Sequence, residues 1–100
     1  MQPRLARSNQ PATALTRMEQ AKRLRERFDW LNRFSDEELQ QISFCETGAE
    51  MVPGETYFDI SHPEKGAFVG QQGQLIPEGG CLVRKASVSN EVWNKLTSYP

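Results

Sequence analysis

Thr16-Arg17-Met18-Glu19 and Ser35-Asp36-Glu37-Glu38 both have the form of a helix-opening capping box. In that pattern the hydroxyl accepts the backbone N–H three residues on, and the carboxylate returns the favour to the hydroxyl residue's own N–H. Two helices must therefore begin within the first half of the chain. Between the boxes, Leu15, Met18, Ala21, Leu24, Phe28, Leu31 and Phe34 recur in steps of three and four. This spacing predicts one long helix from Thr13 or Thr16 to Phe34, with an apolar stripe that drifts around the cylinder. Glu19/Arg23, Lys22/Glu26, Arg25/Asp29 and Asp29/Arg33 are spaced for ion pairs on its polar face. No loop separates Phe34 from Ser35, so a sharp corner or short hairpin follows. The second helix carries three acids in its first turn, where the helix dipole favours them. Its buried side is expected from Leu39 and Ile42, with Phe44 close by, and Gly48 ends it after two to three turns.

Beyond Gly48 the pattern becomes extended. Val52-Pro53-Gly54-Glu55 reads as a turn, because Pro presets the first central φ and Gly accepts a positive φ at the second. Tyr57-Phe58-Asp59-Ile60 reads as a strand with Phe58 and Ile60 facing inward. Ser61 to Gly66 is a reverse connection into a short strand around Ala67-Phe68-Val69. The stretch from Gly70 to Gly80 is a loop with a short extended piece at Leu75-Ile76, and Cys81 to Lys85 is the third strand. Ser89 caps a closing helix from Asn90 to about Ser98, with Val92, Trp93, Leu96 and Tyr99 on its apolar side. The fold class is α+β: a long N-terminal helix and a short second helix on one face of a small, mainly antiparallel three-stranded sheet, closed by a C-terminal helix. Residues 1–12, with a single Leu at position 5 among Gln, Pro, Arg, Ser and Asn, are expected to be a flexible basic arm, and residues 13–100 a single small domain.

Charge is sorted along this frame. Residues 1–34 hold eight Arg/Lys and three acids, residues 35–64 eight acids and no base, and residues 65–100 four bases and two acids; +5 − 8 + 2 gives the net charge of −1. Such asymmetry points to a charged partner or to blocks that neutralise each other, within one chain or across a homodimer. No run of eighteen apolar residues occurs, and no apolar stretch follows Arg4 and Arg7, so a cytoplasmic location is expected. Cys45 and Cys81 share no metal-type spacing and read as reduced, small hydrophobes.

Chemistry is sparse. Asp59-Ile60-Ser61-His62-Pro63-Glu64 gathers zinc or iron ligand types around the one histidine, but a strand end and turn collects the same residues for structural reasons. Adjacent residues on a tight turn also cannot align a nucleophile, base and orienting acid. The glycines from Gly70 to Gly80 lack the Lys-Ser/Thr and the helix of a phosphate loop. The basic first helix carries more. Arg23, Arg27, Trp30 and Arg33 are the expected partner-binding residues, since an aromatic rimmed by arginines has the composition of a binding hot spot; the competing reading packs Trp30 on the sheet or second helix. The sequence thus points to a small intracellular protein-interaction or regulatory module acting by binding, without catalysis or cofactor, and with a protein partner. The alternative is a nucleic-acid-associated protein using the basic arm and first helix, which Glu19, Glu26, Asp29 and a pI of about 5.8 weigh against. Third comes a metal-dependent enzyme around His62.

Overall fold

Thr16 opens the first helix with its full capping box: Oγ1 accepts the Glu19 N–H at 3.1 Å, and Glu19 Oε1 accepts the Thr16 N–H at 3.0 Å. The structure is a computed structural model and describes residues 16–99. The arm expected over residues 1–12, and any helix ahead of Thr16, lie outside the described residues. Helix α1 spans Arg17–Arg27 and buries Ala21 and Leu24. The expected continuation to Phe34 is broken. Phe28 adopts an extended conformation (φ −132°, ψ 96°), and Asp29–Arg33 forms a separate 3-10 turn. Tertiary packing explains the break. On an uninterrupted α-helix, Phe34 and Trp30 would project about 80° and 120° away from Leu24. The kink instead turns Leu31 and Phe34 fully into the core and lays Trp30 beside it, a burial that outweighs helix propensity. Arg25 fixes the corner, with Nη2 donating to the Phe34 carbonyl at 2.7 Å and Nη1 paired with Asp36. None of the four expected i,i+4 pairs closes among the described residues: Glu19 serves the cap, and Arg25 reaches Asp36 rather than Asp29.

Helix α2, Asp36–Leu39, also has its complete box, with Ser35 Oγ accepting the Glu38 N–H and Glu38 Oε1 accepting the Ser35 N–H. It stops after one turn, well short of Gly48. The chain is needed in extended form at Phe44, which bridges to Val83 in antiparallel fashion while the Cys45 N–H donates to the Leu82 carbonyl at 2.9 Å.

Strands β1 (Thr56–Asp59), β2 (Phe68–Val69) and β3 (Leu82–Arg84) form an antiparallel sheet in the order β2-β1-β3. Phe58 lies opposite Val83, and both face α1, the 3-10 turn and helix α3, Asn90–Thr97. Ser89 caps α3 by accepting the Val92 N–H at 3.2 Å, and Val92, Trp93 and Leu96 complete that core. The fold class matches the expectation, but both faces of the sheet are covered. On the far side Tyr57, Leu82, Met51 and Ile76 form a second cluster under irregular segments, joined by a Glu50–Leu75 bridge. The Tyr57 hydroxyl accepts the Val52 N–H at 2.8 Å, and its ring stacks on Phe68 with centroids 6.0 Å apart. Gly54, at φ +86°, supplies the expected turn, with the Glu55 N–H donating to the Val52 carbonyl. Gly70 is required for contact: a Cβ there would lie 2.8 Å from Tyr57 Cε2 and 3.0 Å from the Val52 carbonyl oxygen. Cys45 packs against this second cluster and Cys81 belongs to the first, so the two free thiols serve different cores. No helix among the described residues is long and apolar enough to cross a membrane.

Candidate functional site

Arg23 and Arg27 stand one turn apart on α1 and so share a face. They and Leu24 form one wall of a groove of about 560 Å³ whose other wall is Ile42, Ser43 and Phe44. Leu24 and Ile42 make a buried apolar floor, while Phe44 remains 39% exposed. The Arg27 guanidinium lies 4.9 Å from the centre of the Phe28 ring, a cation–π contact that leaves its charge unneutralised. Arg17 Nη1 donates to the Gln40 carbonyl at 2.7 Å, which ties α1 to the end of α2 and holds the walls in place. Phe44 escaped the sequence reading as a groove residue. Its signal was the alternation Ile42-Ser43-Phe44, a period of two just where the helical pattern fades.

Trp30 and Arg33 lie apart from this groove. The Trp30 ring is half-buried and packs edge-on against Phe34, Phe58 and Tyr99, with centroids 6.1, 6.2 and 5.1 Å away, and its Nε1 donates to the Ile60 carbonyl at 3.3 Å. That contact to Phe58 is packing on the sheet. Arg33 sits 5.8 Å from the centre of the indole. The apolar stripe from Leu24 to Phe34 is thus covered within one chain, while Met18 stays exposed.

The charge blocks meet only in part. Arg25 of the basic block pairs with Asp36 of the acidic one, whereas Glu38 pairs with Lys95 at 2.8 Å and Glu55 lies 3.9 Å from Arg84. The Lys95 hydrogen bond, with the Ser35 N–H behind it, holds the Glu38 carboxyl below its ordinary pKa. Among the described residues Arg23 and Arg27 have no ion-pair partner.

His62 is exposed, with Nδ1 3.5 Å from Glu64 Oε2. Neighbouring Asp59 is 9% exposed and is committed elsewhere: its Oδ1 accepts the Ser61 hydroxyl at 2.6 Å, the Ser61 N–H at 3.0 Å and the Cys81 N–H at 3.1 Å. Burial pushes this carboxyl up, but the bonds from Ser61 and Cys81 outweigh it and hold Asp59 below the usual range. The Ser61 hydroxyl therefore donates to Asp59 and is not paired with His62 as a base. Among the described residues, no three His, Cys, Asp or Glu side chains come together to hold a metal ion. Of the glycines from Gly70 to Gly80, Gly73 and Gly79 serve turns at positive φ, as where the Gln71 N–H donates to Gln74 Oε1 beside Gly73 at φ +81°. Burial pushes the Cys45 thiol up despite the nearby Arg84, the opposite of an activated nucleophile. Neither a protein-family model, nor a curated protein, nor a solved structure matches this chain.

Proposed function

We propose that this chain is a protein-interaction module, regulatory in the sense that it acts by contact, and that its docking site is the groove between α1 and Phe44. The partner is a protein segment that carries carboxylates together with apolar side chains. One observation carries this reading: two guanidinium groups without ion-pair partners among the described residues stand beside a floor of Leu24 and Ile42 and opposite the exposed ring of Phe44. Arginine is favoured at such places because its planar fork meets a carboxylate with two hydrogen bonds and is weakly hydrated. An apolar floor favours a polypeptide over a nucleic-acid backbone, whose affinity comes chiefly from phosphate contacts.

Selection from a displayed peptide library tests the proposal, run in parallel on the wild type and on Arg23→Gln/Arg27→Gln. Enrichment of sequences combining acidic and aliphatic residues on the wild type, lost on the variant, is expected. Equal enrichment on both proteins, or no enrichment on either, contradicts it. So does tight binding of single-stranded oligonucleotides that depends on the same two arginines while no peptide is selected.

A further inference from the structure

Phe44 lies along the β3 edge of the sheet, and among the described residues no further strand pairs beyond it. Its partner in the antiparallel bridge is Val83, and the hydrogen bond to β3 comes from the flanking residue, Cys45 N–H to the Leu82 carbonyl. In a bridge of that kind, the N–H and C=O of the central residue point away from the neighbouring strand. Phe44 therefore turns its own backbone donor and acceptor outward, and neither makes a hydrogen bond among the described residues. An unpaired strand edge of this sort is a template for another strand. Residues directly opposite in an antiparallel pair share a face, so the Phe44 side chain projects on the helix side with Val83, towards α1. The cavity of about 560 Å³ opens between Phe44 and Arg23 and Arg27, and a second cavity of about 300 Å³ meets it at Ser43 and Phe44. An open edge, space beside it and unpaired positive charge thus converge on one residue.

From this convergence we infer that the partner segment binds in extended form, as an added antiparallel or parallel strand hydrogen-bonded to the Phe44 N–H and C=O. Alternate side chains of a strand point to opposite faces. Every second residue of the added segment then lies on the α1 side, where its carboxylate reaches Arg23 and Arg27 and its methylene stem covers Leu24 and Ile42, while the apolar residues between them face the second cavity beside Cys45 and Ile76. This rests on the groove being the docking site and adds the backbone geometry of the bound segment. Recognition of this type takes its affinity from main-chain hydrogen bonds and its specificity from alternate side chains.

N-methylation separates strand addition from simple docking, because a strand's N–H groups alternate between its two edges. The probes are a blocked peptide of alternating Glu and Val and two derivatives, N-methylated at every Glu or at every Val. Binding is read from amide shifts of the isotope-labelled full chain, which stays unaltered. Strand addition is expected to let the parent peptide shift the Phe44 amide, and to make one derivative weaker by about tenfold or more while the other stays close to the parent. Equal binding of all three peptides overturns strand addition and leaves the groove reading standing. No binding by the parent overturns both, and so does a parent that shifts residues elsewhere but leaves Ser43 to Cys45 unchanged.

Discussion

Replacing Asp59 with Ala is expected to destabilise the fold by about 3 kcal/mol, and the structure divides that figure. Oδ1 accepts three hydrogen bonds, two from Ser61 and one from Cys81. Ser61 is half-exposed, so water recovers most of what its groups lose, leaving about 1 kcal/mol for the loosened turn. Cys81 is buried, and its N–H would be left without an acceptor, a loss of about 2 kcal/mol. Asp59→Asn keeps an oxygen in place and removes only the charge, so about 1 kcal/mol is expected. The effect must also depend on pH. Folding lowers the Asp59 pKa below an unfolded value of about 3.9, so the folded state binds this proton less tightly than the unfolded chain. Its contribution is complete above about pH 5 and disappears as pH falls through the folded-state value. Urea unfolding followed by the fluorescence of Trp30 and Trp93 measures both features. The gap between wild type and Asp59→Asn should be present at about pH 7 and should shrink towards about pH 2. A gap that holds constant across that range, or an Ala variant within about 0.5 kcal/mol of wild type, would refute the assignment of Asp59 as the buried clasp between β1 and β3.

Other consequences can be measured on the same protein. Gly70→Ala should lower stability by about 1–3 kcal/mol in urea, because its Cβ meets the Val52 carbonyl and the Tyr57 ring, neither of them a flexible chain end. Trp30→Phe should lose about 1–2 kcal/mol, through the indole bond to Ile60 and reduced contact with Phe58 and Tyr99; an unchanged unfolding midpoint would show the indole to be dispensable. Arg23→Gln/Arg27→Gln should stay within about 1 kcal/mol of wild type, since neither arginine has an ion pair to lose among the described residues and only the exposed Arg27–Phe28 contact goes. Alkylation of Cys45 should run slower than that of an unfolded control at neutral pH, because burial raises its pKa. Equal rates for the folded and unfolded protein would contradict that placement.

What could be read without the fold was local chemistry. Both capping boxes, the Ser89 cap and the Pro53-Gly54 turn follow from hydroxyls, carboxylates, Pro and Gly acting on neighbouring backbone, and the three strands from short apolar runs set between turn residues. What could not be read depended on distant residues. Phe28 leaves the helix because Leu31, Phe34 and Trp30 must reach one core together, a demand that helical spacing alone does not reveal. The second helix ends early because Phe44 is drawn to Val83, far away in sequence. Tyr57 was readable as a strand residue, but its burial rests on Met51 and Ile76 arriving from irregular segments. The candidate site divides in the same way. Arg23 and Arg27 were named for rimming Trp30, which the fold places elsewhere, and the opposite wall of their groove arises from a bridge between distant parts of the chain.

The groove itself is tested most directly by amide-shift mapping of the labelled chain as a Glu- and Val-containing peptide is added at low and at high salt. Shifts are expected at Gln20 to Arg27 and at Ile42 to Cys45, weaker at high salt because screening reduces the arginine contribution. Shifts confined to the surface around His62, or centred on Trp30 and Arg33 with the groove unchanged, would contradict the assignment of the docking site.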